Sequence, residues 1–125
     1  KAASRGRAIR VLGAVDDKTL CALYNLARAS VYPSLFEGFG FPVLESMACG
    51  TPVAASNASS IPEAAGDAAV LFDPRDIDAM ARAIDAVIRD DELREGLRGK
   101  GLARARQFTW RRAGENVRDI LAGVA

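Results

Sequence analysis

Glu37-Gly-Phe-Gly-Phe-Pro-Val-Leu-Glu45 decides the fold of this chain, because it places a glycine-rich turn and a helix start directly after a short apolar run, Val31-Tyr-Pro33. The run is typical of the end of a buried strand. Gly38 and Gly40 allow the main chain to turn sharply and to approach a ligand without a Cβ in the way. Pro42 suits the first position of a helix, where its missing N–H costs nothing. The stretch therefore predicts a strand, a tight turn and a helix in succession.

The same turn predicts a ligand. The free amides at the start of a helix, together with the positive end of its dipole, form a natural site for phosphate. Glu37 and Glu45 flank that site and can accept hydrogen bonds from hydroxyls. Ligands of open α/β sheets gather at the carboxyl ends of the strands, where this turn lies. Phosphate next to hydroxyls indicates a nucleotide sugar.

Composition bounds the remaining possibilities. The chain has 125 residues, which is one domain at most, and its 17 basic and 16 acidic residues give a net charge of +1. No histidine is present, so Ser-His-Asp and Cys-His catalysis and histidine metal sites are excluded. Two cysteines, Cys21 and Cys49, cannot supply a zinc site. We expect them to be small buried thiols in a reducing compartment rather than a disulfide.

Short apolar runs alternate with helical patterns up to about residue 74, which indicates βαβ units and a parallel sheet. The predicted strands are Ile9–Leu12, Ser30–Pro33, Pro52–Ala55 and Ala69–Phe72. Helices are predicted from Asp17 to Ala29, capped by Asp16 or Asp17, and from Pro42 to Ala48. Ser60-Ile-Pro-Glu63 has the spacing of a capping box and predicts a short helix that ends near Gly66.

Residues 75–123 predict helices only. Apolar residues recur at helical spacing from Ile77 to Ile88. Leu93, Leu97 and Leu102 predict a second helix, weakened by glycines at 96, 99 and 101. A third helix would be capped by Thr109, and its inward side chains are predicted to be Trp110, Val117, Ile120 and Leu121. The fold class is therefore α/β, a Rossmann-like parallel sheet flanked by helices, with a helical C-terminal segment.

Other interpretations of the motifs are weaker. Gly38-Phe-Gly40 begins like a dinucleotide fingerprint, but Val43 stands where the third glycine belongs, which argues against NAD. Two glutamates also occur in glycosidases, yet one precedes the turn and the other lies in the helix, which suits hydroxyl binding better. The basic residues between 89 and 112 are interleaved with acidic ones, so a solvated helix surface is favoured over nucleic-acid binding.

From Val31 to Val53 the sequence resembles the donor-site region of retaining glycosyltransferases of the GT-B fold, family 4 (group 1). The resemblance continues through Ser59-Ser-Ile-Pro-Glu63, Gly66-Asp-Ala-Ala69 and Phe72-Asp-Pro74, and into Phe108-Thr-Trp110. It covers roughly residues 8 to 121. Such enzymes have two Rossmann-like domains facing a cleft, and residues 1–125 match only the second half of the C-terminal, nucleotide-sugar-binding domain.

The resemblance implies roles for particular residues. Glu37 is the candidate catalytic residue and contacts the hydroxyls of the donor sugar, while Glu45 holds the ribose. Backbone amides of the turn bind the sugar and diphosphate, and the implied donor-binding set is Glu37, Gly38, Phe39, Gly40, Phe41, Val43, Leu44 and Glu45. Attack from the same face keeps the anomeric configuration, with the leaving diphosphate helping to take the acceptor proton. No cofactor and no metal is expected.

The family's basic pair that neutralises the diphosphate and its acceptor domain lie upstream of the residues matched here. We therefore expect this chain to be inactive alone and to bind sugar nucleotide weakly. The stretch Ser56-Asn-Ala-Ser-Ser-Ile-Pro-Glu63 is similar to bacterial mannosyltransferases acting on polysaccharide or lipid-linked acceptors, which favours GDP-mannose, with UDP-glucose next. The alternatives are a nucleotide-sugar epimerase, which the lack of histidine disfavours, and a non-catalytic nucleotide-sugar-binding module.

The partners implied are the nucleotide-sugar donor and the missing N-terminal acceptor domain, with no nucleic acid. An incomplete parallel sheet has an exposed edge, so the chain is also expected to self-associate. No apolar run is long enough to span a membrane. A cytoplasmic location is expected, with peripheral attachment of the full-length enzyme to the inner membrane left open.

Overall fold

A computed structural model describes residues 9–124, which form a three-stranded parallel sheet flanked by helices. The predicted domain boundaries at residues 1 and 125 lie outside the described residues. The elements in chain order are α1 (Asp17–Leu26), β1 (Ser30–Tyr32), α2 (Phe41–Ala48), β2 (Val53–Ser56), α3 (Ile61–Ala65), β3 (Ala69–Phe72), α4 (Ile77–Arg89), α5 (Asp91–Ala105) and α6 (Trp110–Val124). The predicted fold class, α/β with a helical C-terminal segment, is confirmed.

The central strand β2 divides the core into two layers. Its side chains alternate between the faces of the sheet, so Val53 and Ala55 pack with α2 and α3, while Ala54 packs on the other side. That second layer contains Phe72 of β3, Val87 of α4 and Leu97 of α5. β1 and β3 pair with β2 in parallel register, Ser30 opposite Val53 and Val53 opposite Ala69. The carboxyl ends of all the strands therefore lie at one edge of the sheet.

One predicted strand is wrong. Residues 9–12 form no strand, and Ile9 and Val11 are 73% and 89% exposed. A strand requires a neighbour to satisfy its backbone groups, and within residues 9–124 β1 pairs with β2 alone. The apolar run of residues 9–12 thus has no partner in the described part of the chain.

The helix caps follow the predicted chemistry at both ends of the chain. Asp16 accepts a hydrogen bond from the Thr19 amide at 2.7 Å, and Thr109 accepts one from the Arg112 amide at 3.2 Å. The first helix ends at Leu26 rather than at Ala29, because Ala27 adopts an extended conformation with φ −73° and ψ 137°.

The glycines of α5 do not interrupt it. The helix runs without a break from Asp91 to Ala105, and Gly101 is buried against Met47 of α2. A Cβ at position 101 would lie 3.2 Å from Met47 Cγ, whereas a Cβ at Gly96 or Gly99 would meet nothing within 4 Å. Gly101 therefore permits the close approach of α5 to α2.

The inward orientation predicted for α6 is wrong. Trp110 is 89% exposed, and Val117, Ile120 and Leu121 are all more than half exposed. No residue of α6 is buried among residues 9–124, so nothing in that part of the chain covers the apolar stripe of this helix. None of the described helices is both long and apolar enough to cross a membrane.

Candidate functional site

The turn between β1 and α2 depends on Gly40. Gly40 has φ +96°, a conformation that L-residues rarely adopt, and it is buried at the N-cap of α2. The helix begins at Phe41, so Pro42 occupies the second helical position rather than the predicted first. Gly38 differs from Gly40, because it has no positive φ and a Cβ there would meet nothing within 4 Å.

The carboxylate of Glu37 is fixed by two hydroxyls. Its Oε1 accepts a hydrogen bond from Tyr32 Oη at 2.9 Å and another from Ser34 Oγ at 2.7 Å. Oε2 forms no hydrogen bond with any of residues 9–124. One oxygen thus sets the orientation of the side chain, and the other retains its capacity to accept a hydrogen bond from a ligand.

These contacts change the acidity of both groups. The hydrogen bonds from Ser34 and then from Tyr32 favour the charged carboxylate and hold the pKa of Glu37 below its usual range. Burial, and next the hydrogen bond to Glu37, raises the pKa of Tyr32. The two shifts agree with a neutral phenol that donates to an ionised carboxylate at neutral pH.

The main chain of Glu37 is held by two serines of the loop between β2 and α3. Ser59 Oγ donates to the Glu37 carbonyl oxygen at 2.7 Å and accepts from the Glu37 amide at 3.3 Å, and Ser60 Oγ donates to the same carbonyl at 3.0 Å. Ser60 lies at the N-cap of α3 but makes no side-chain capping bond. The predicted capping box with Glu63 is therefore wrong, because this hydroxyl is used to fix the turn.

Sequence reasoning missed the supporting role of these serines. A signal was present, because Ser56 ends β2 and parallel strands end at the same edge of the sheet. Ser56 Oγ donates to the Ser34 carbonyl oxygen at 2.6 Å and so joins the ends of β1 and β2. Ser59 and Ser60 follow the end of β2 by three and four residues, so they could have been placed beside Glu37 on that ground.

The backbone amides of the turn and of the start of α2 differ in their hydrogen-bond partners. Those of Gly38, Phe39, Gly40 and Phe41 donate no hydrogen bond to other residues among 9–124. The Val43 amide donates to the Gly40 carbonyl oxygen at 3.0 Å, and the side chains of Val43 and Leu44 lie in the core. The donor contacts predicted for these two amides remain a prediction.

Glu45 is exposed, on the face of α2 that points away from the core. It borders a cavity of about 340 Å³ between α1 and α2, lined by Asp17, Leu20, Cys21, Tyr24, Glu45, Ala48 and Cys49. Neither Glu45 nor Glu37 forms an ion pair within residues 9–124. Glu37 thus lies at the turn and Glu45 beside the α1–α2 cavity, and both are close enough to Tyr32 to contribute, after burial, to its raised pKa.

A larger cavity of about 660 Å³ opens beside the turn. Phe39 and Phe41 line it together with Phe108 and Trp110 of the C-terminal segment. The ring of Phe39 lies 5.1 Å from Phe41 and 5.6 Å from Phe108 between centroids. The side chains of this turn are therefore part of an aromatic wall, which the sequence did not predict.

The cysteines are not buried, contrary to the expectation. Cys21 is exposed and Cys49 is half-buried, and both are free thiols. The reason is the position of α1, none of whose residues is buried in the described part of the chain. Within residues 9–124, no cluster of three or more histidine, cysteine or acidic side chains has the arrangement of a metal site.

Comparison with known proteins identifies the class. A sequence model of "Glycosyl transferases group 1" matches residues 1–104, so the chain belongs to this family. An O-antigen chain mannosyltransferase B of Escherichia coli is 51% identical over 102 residues, which cover 82% of this chain and 27% of that protein. A D-inositol 3-phosphate glycosyltransferase of Streptosporangium roseum is 32% identical over 118 residues, covering 93% of this chain and 27% of that protein.

The structure agrees with the sequence comparison. Sucrose-phosphate synthase from Thermosynechococcus elongatus superposes with a TM-score of 0.77 at 31% identity, covering 90% of this chain and 30% of that one. The predicted resemblance to group 1 glycosyltransferases of the GT-B fold, and to mannosyltransferases among them, is confirmed. The chain spans less than a third of the length of each of these proteins.

Proposed function

We propose that this chain carries part of the donor site of a retaining glycosyltransferase that moves mannose from GDP-mannose to a glycan or lipid-linked acceptor. Membership of the family supports transfer from a nucleotide sugar. Mannose is supported by the 51% identity to a protein named as a mannosyltransferase, against 32% to the D-inositol 3-phosphate glycosyltransferase. UDP-glucose is the second candidate donor.

The observation that carries the proposal is the asymmetry of the Glu37 carboxylate. Oε1 is used by Tyr32 and Ser34, so the side chain is oriented before any ligand arrives, while Oε2 can accept a hydrogen bond from a sugar hydroxyl. A charged, preoriented acceptor forms a stronger hydrogen bond than a mobile one, because less conformational freedom is lost on binding.

The diphosphate is proposed to lie against the turn. The amides of Gly38, Phe39, Gly40 and Phe41 lie at the start of α2, where backbone donors and the helix dipole favour an anion. Such fixed donors stabilise the charge that develops on a leaving diphosphate. The departing group then accepts the acceptor's proton on the same face, and this route requires no protein base and no metal.

We further propose that the chain alone binds the donor weakly and does not turn it over. Two arginines, Arg104 and Arg112, line the cavity beside the turn. Arg104 is already engaged, because its guanidinium donates to the carbonyl oxygens of Ala64 and Glu63. Neutralising a diphosphate and binding the acceptor are assigned to the remaining part of the full-length protein.

The test compares GDP-mannose with GDP in a titration followed by NMR chemical shifts, which detects millimolar binding. Glu37→Gln is expected to weaken GDP-mannose binding by about tenfold or more while leaving GDP binding unchanged, because only the sugar loses a charged acceptor. Glu45→Gln is expected to weaken both ligands equally, because both contain the ribose. Exposed Glu115 of α6 supplies the matched control, Glu115→Gln, which should change neither.

Two results would contradict the proposal. Unchanged GDP-mannose affinity in the Glu37→Gln variant removes the assigned sugar contact. Equal affinity of the wild-type chain for GDP-mannose and GDP indicates a nucleotide-binding module that does not recognise the sugar. Tighter binding of UDP-glucose than of GDP-mannose would retain the transferase and replace its donor.

A further inference from the structure

Cys21 and Cys49 form a dithiol pair beside the α1–α2 cavity. They are 28 positions apart in the sequence, yet their sulfur atoms lie 3.7 Å from each other, and either thiol can donate to the other. Cys21 lies within α1, and Cys49 is the C-cap of α2. The contact therefore joins two helices that are adjacent in space and distant in sequence.

Asn25 holds the sulfur of Cys21 in position near Cys49. The Asn25 amide donates a hydrogen bond to Cys21 Sγ at 3.4 Å and fixes the sulfur on the side of α1 that faces Cys49. A disulfide requires a sulfur–sulfur distance near 2.05 Å, so the gap must close by about 1.7 Å. The helix that carries Cys21 can accommodate this shift, because no residue of α1 is buried in the described part of the chain.

We propose that Cys21 and Cys49 are a redox-active dithiol site, which reacts with a low-molecular-weight disulfide and becomes an intramolecular disulfide that fastens α1 to α2. The thiolate of Cys21 attacks one sulfur of the small disulfide, forming a mixed disulfide and releasing one equivalent of small thiolate. The thiolate of Cys49 then attacks Cys21 Sγ and releases the second equivalent. Both protein thiols lose their protons to solvent, and two electrons pass to the small disulfide, which is reduced to two thiols.

The order of attack follows from exposure. Cys21 is the more exposed sulfur and meets the reagent first. Burial, and then the contact with Cys21, raises the pKa of Cys49, so less of Cys49 is thiolate in solution. The second step is intramolecular, and the closeness of the two sulfurs compensates for the smaller thiolate fraction.

The disulfide is expected to stabilise the chain and to narrow the cavity beside it. Linking residues 28 positions apart restricts the unfolded chain, which raises the thermal midpoint. Cys21 and Cys49 both line the 340 Å³ cavity, along with the acidic residues Asp17 and Glu45. These acidic side chains favour a cationic reagent at the opening, so cystamine is the appropriate probe.

The experiment treats the reduced 125-residue chain with cystamine and then measures intact mass, free thiols after denaturation, and the thermal midpoint. The expected product is a monomer whose mass is lower by two hydrogen atoms, with no free thiol and a midpoint higher by several degrees. Dithiothreitol should restore the mass, both thiols and the original midpoint. The matched variants Cys21→Ser and Cys49→Ser should each retain a cysteamine adduct and show no rise in midpoint.

Each alternative outcome overturns the proposal. Two stable cysteamine adducts on the wild-type chain show that the sulfurs do not reach each other. A disulfide-linked dimer shows that the pair reacts between molecules. No reaction of the folded chain shows that the thiols are inaccessible, and an internal disulfide without a rise in the midpoint shows that it does not fasten the helices.

Discussion

Gly101 of α5 lies directly against Met47 of α2, so close that a Cβ at position 101 would be 3.2 Å from Met47 Cγ and 3.4 Å from its Cβ. Met47 is 1% exposed and belongs to the core cluster formed with α3 and β2. The packing of the C-terminal helices on the helix that begins at the turn therefore depends on the absence of one side chain.

This contact predicts opposite effects for two neighbouring glycines. Both Gly99→Ala and Gly101→Ala gain helix propensity, but only alanine at position 101 overpacks the core. We expect Gly99→Ala to raise the free energy of unfolding by about 0.5–1 kcal/mol, and Gly101→Ala to be less stable than Gly99→Ala by about 1–3 kcal/mol. Urea denaturation of the two variants measures this difference. Equal stabilities would show that the Met47 side chain moves aside at no cost in free energy.

The two glycines of the turn, Gly38 and Gly40, predict different effects of alanine substitution on stability. Gly40 requires φ +96°, so Gly40→Ala should lower the free energy of unfolding by about 1–3 kcal/mol. A Cβ at Gly38 would meet nothing within 4 Å. Gly38→Ala should therefore change the free energy of unfolding by no more than about 0.5 kcal/mol. Chemical denaturation tests both. A large loss of stability in Gly38→Ala would mean that this position has a structural role that its geometry does not reveal.

Local signals in the sequence predicted most of the sheet and the turn. Short apolar runs predict the strands at residues 30–33, 52–55 and 69–72. Side-chain chemistry predicts Thr109 as one helix cap and Asp16 or Asp17 as another, and the structure has Thr109 and Asp16. These features depend on residues within a few positions of each other. They can therefore be predicted from the sequence without knowing which other elements pack against them.

The failures concern contacts that are distant in sequence. The apolar run at residues 9–12 reads as a strand, but pairing needs a neighbour that the described residues do not supply. Ser60 reads as a cap for α3, yet its hydroxyl bonds the Glu37 carbonyl oxygen, 23 positions away. The outward stripe on α6 has the same periodicity as an inward one, so the sequence alone could not decide which surface it meets.

The Glu37 network predicts a loss of stability in acid. The pKa of Glu37 is lower in the folded chain than in an unfolded one, so the unfolded state binds more protons. This contribution is present above the ordinary glutamate pKa of about 4.3 and is lost as the pH falls through the folded value. Glu37→Gln should be less stable than wild type at pH 7, and the difference in stability should shrink as the pH falls below the ordinary glutamate pKa.

Thermal unfolding at several pH values measures this effect. The Glu115→Gln variant serves as the control, since Glu115 is exposed on α6 and does not line the cavity beside the turn. Its stability should follow wild type throughout. A Glu37→Gln difference that persists undiminished in acid would show that the side chain acts through packing rather than through its charge.

The apolar stripe of α6 predicts that the purified chain self-associates. The contact is expected to form through this stripe and not through the sheet edge, which was the surface expected from the sequence. β1 is only three residues long, and its exposed apolar residue is Val31. On α6, by contrast, Val117, Ile120, Leu121 and Val124 are between 56% and 82% exposed. Burying such a stripe against a second copy removes apolar area from water, which favours association.

Sedimentation velocity over a range of concentrations tests this prediction. We expect the wild-type chain to associate as its concentration rises and Ile120→Glu to remain monomeric, because a charge in the stripe cannot be buried without a partner. The matched control is Glu115→Lys, a charge change on the same helix outside the stripe. Association that persists in the Ile120→Glu variant would assign the contact to the sheet edge, and a wild-type monomer at every concentration would contradict self-association through either surface.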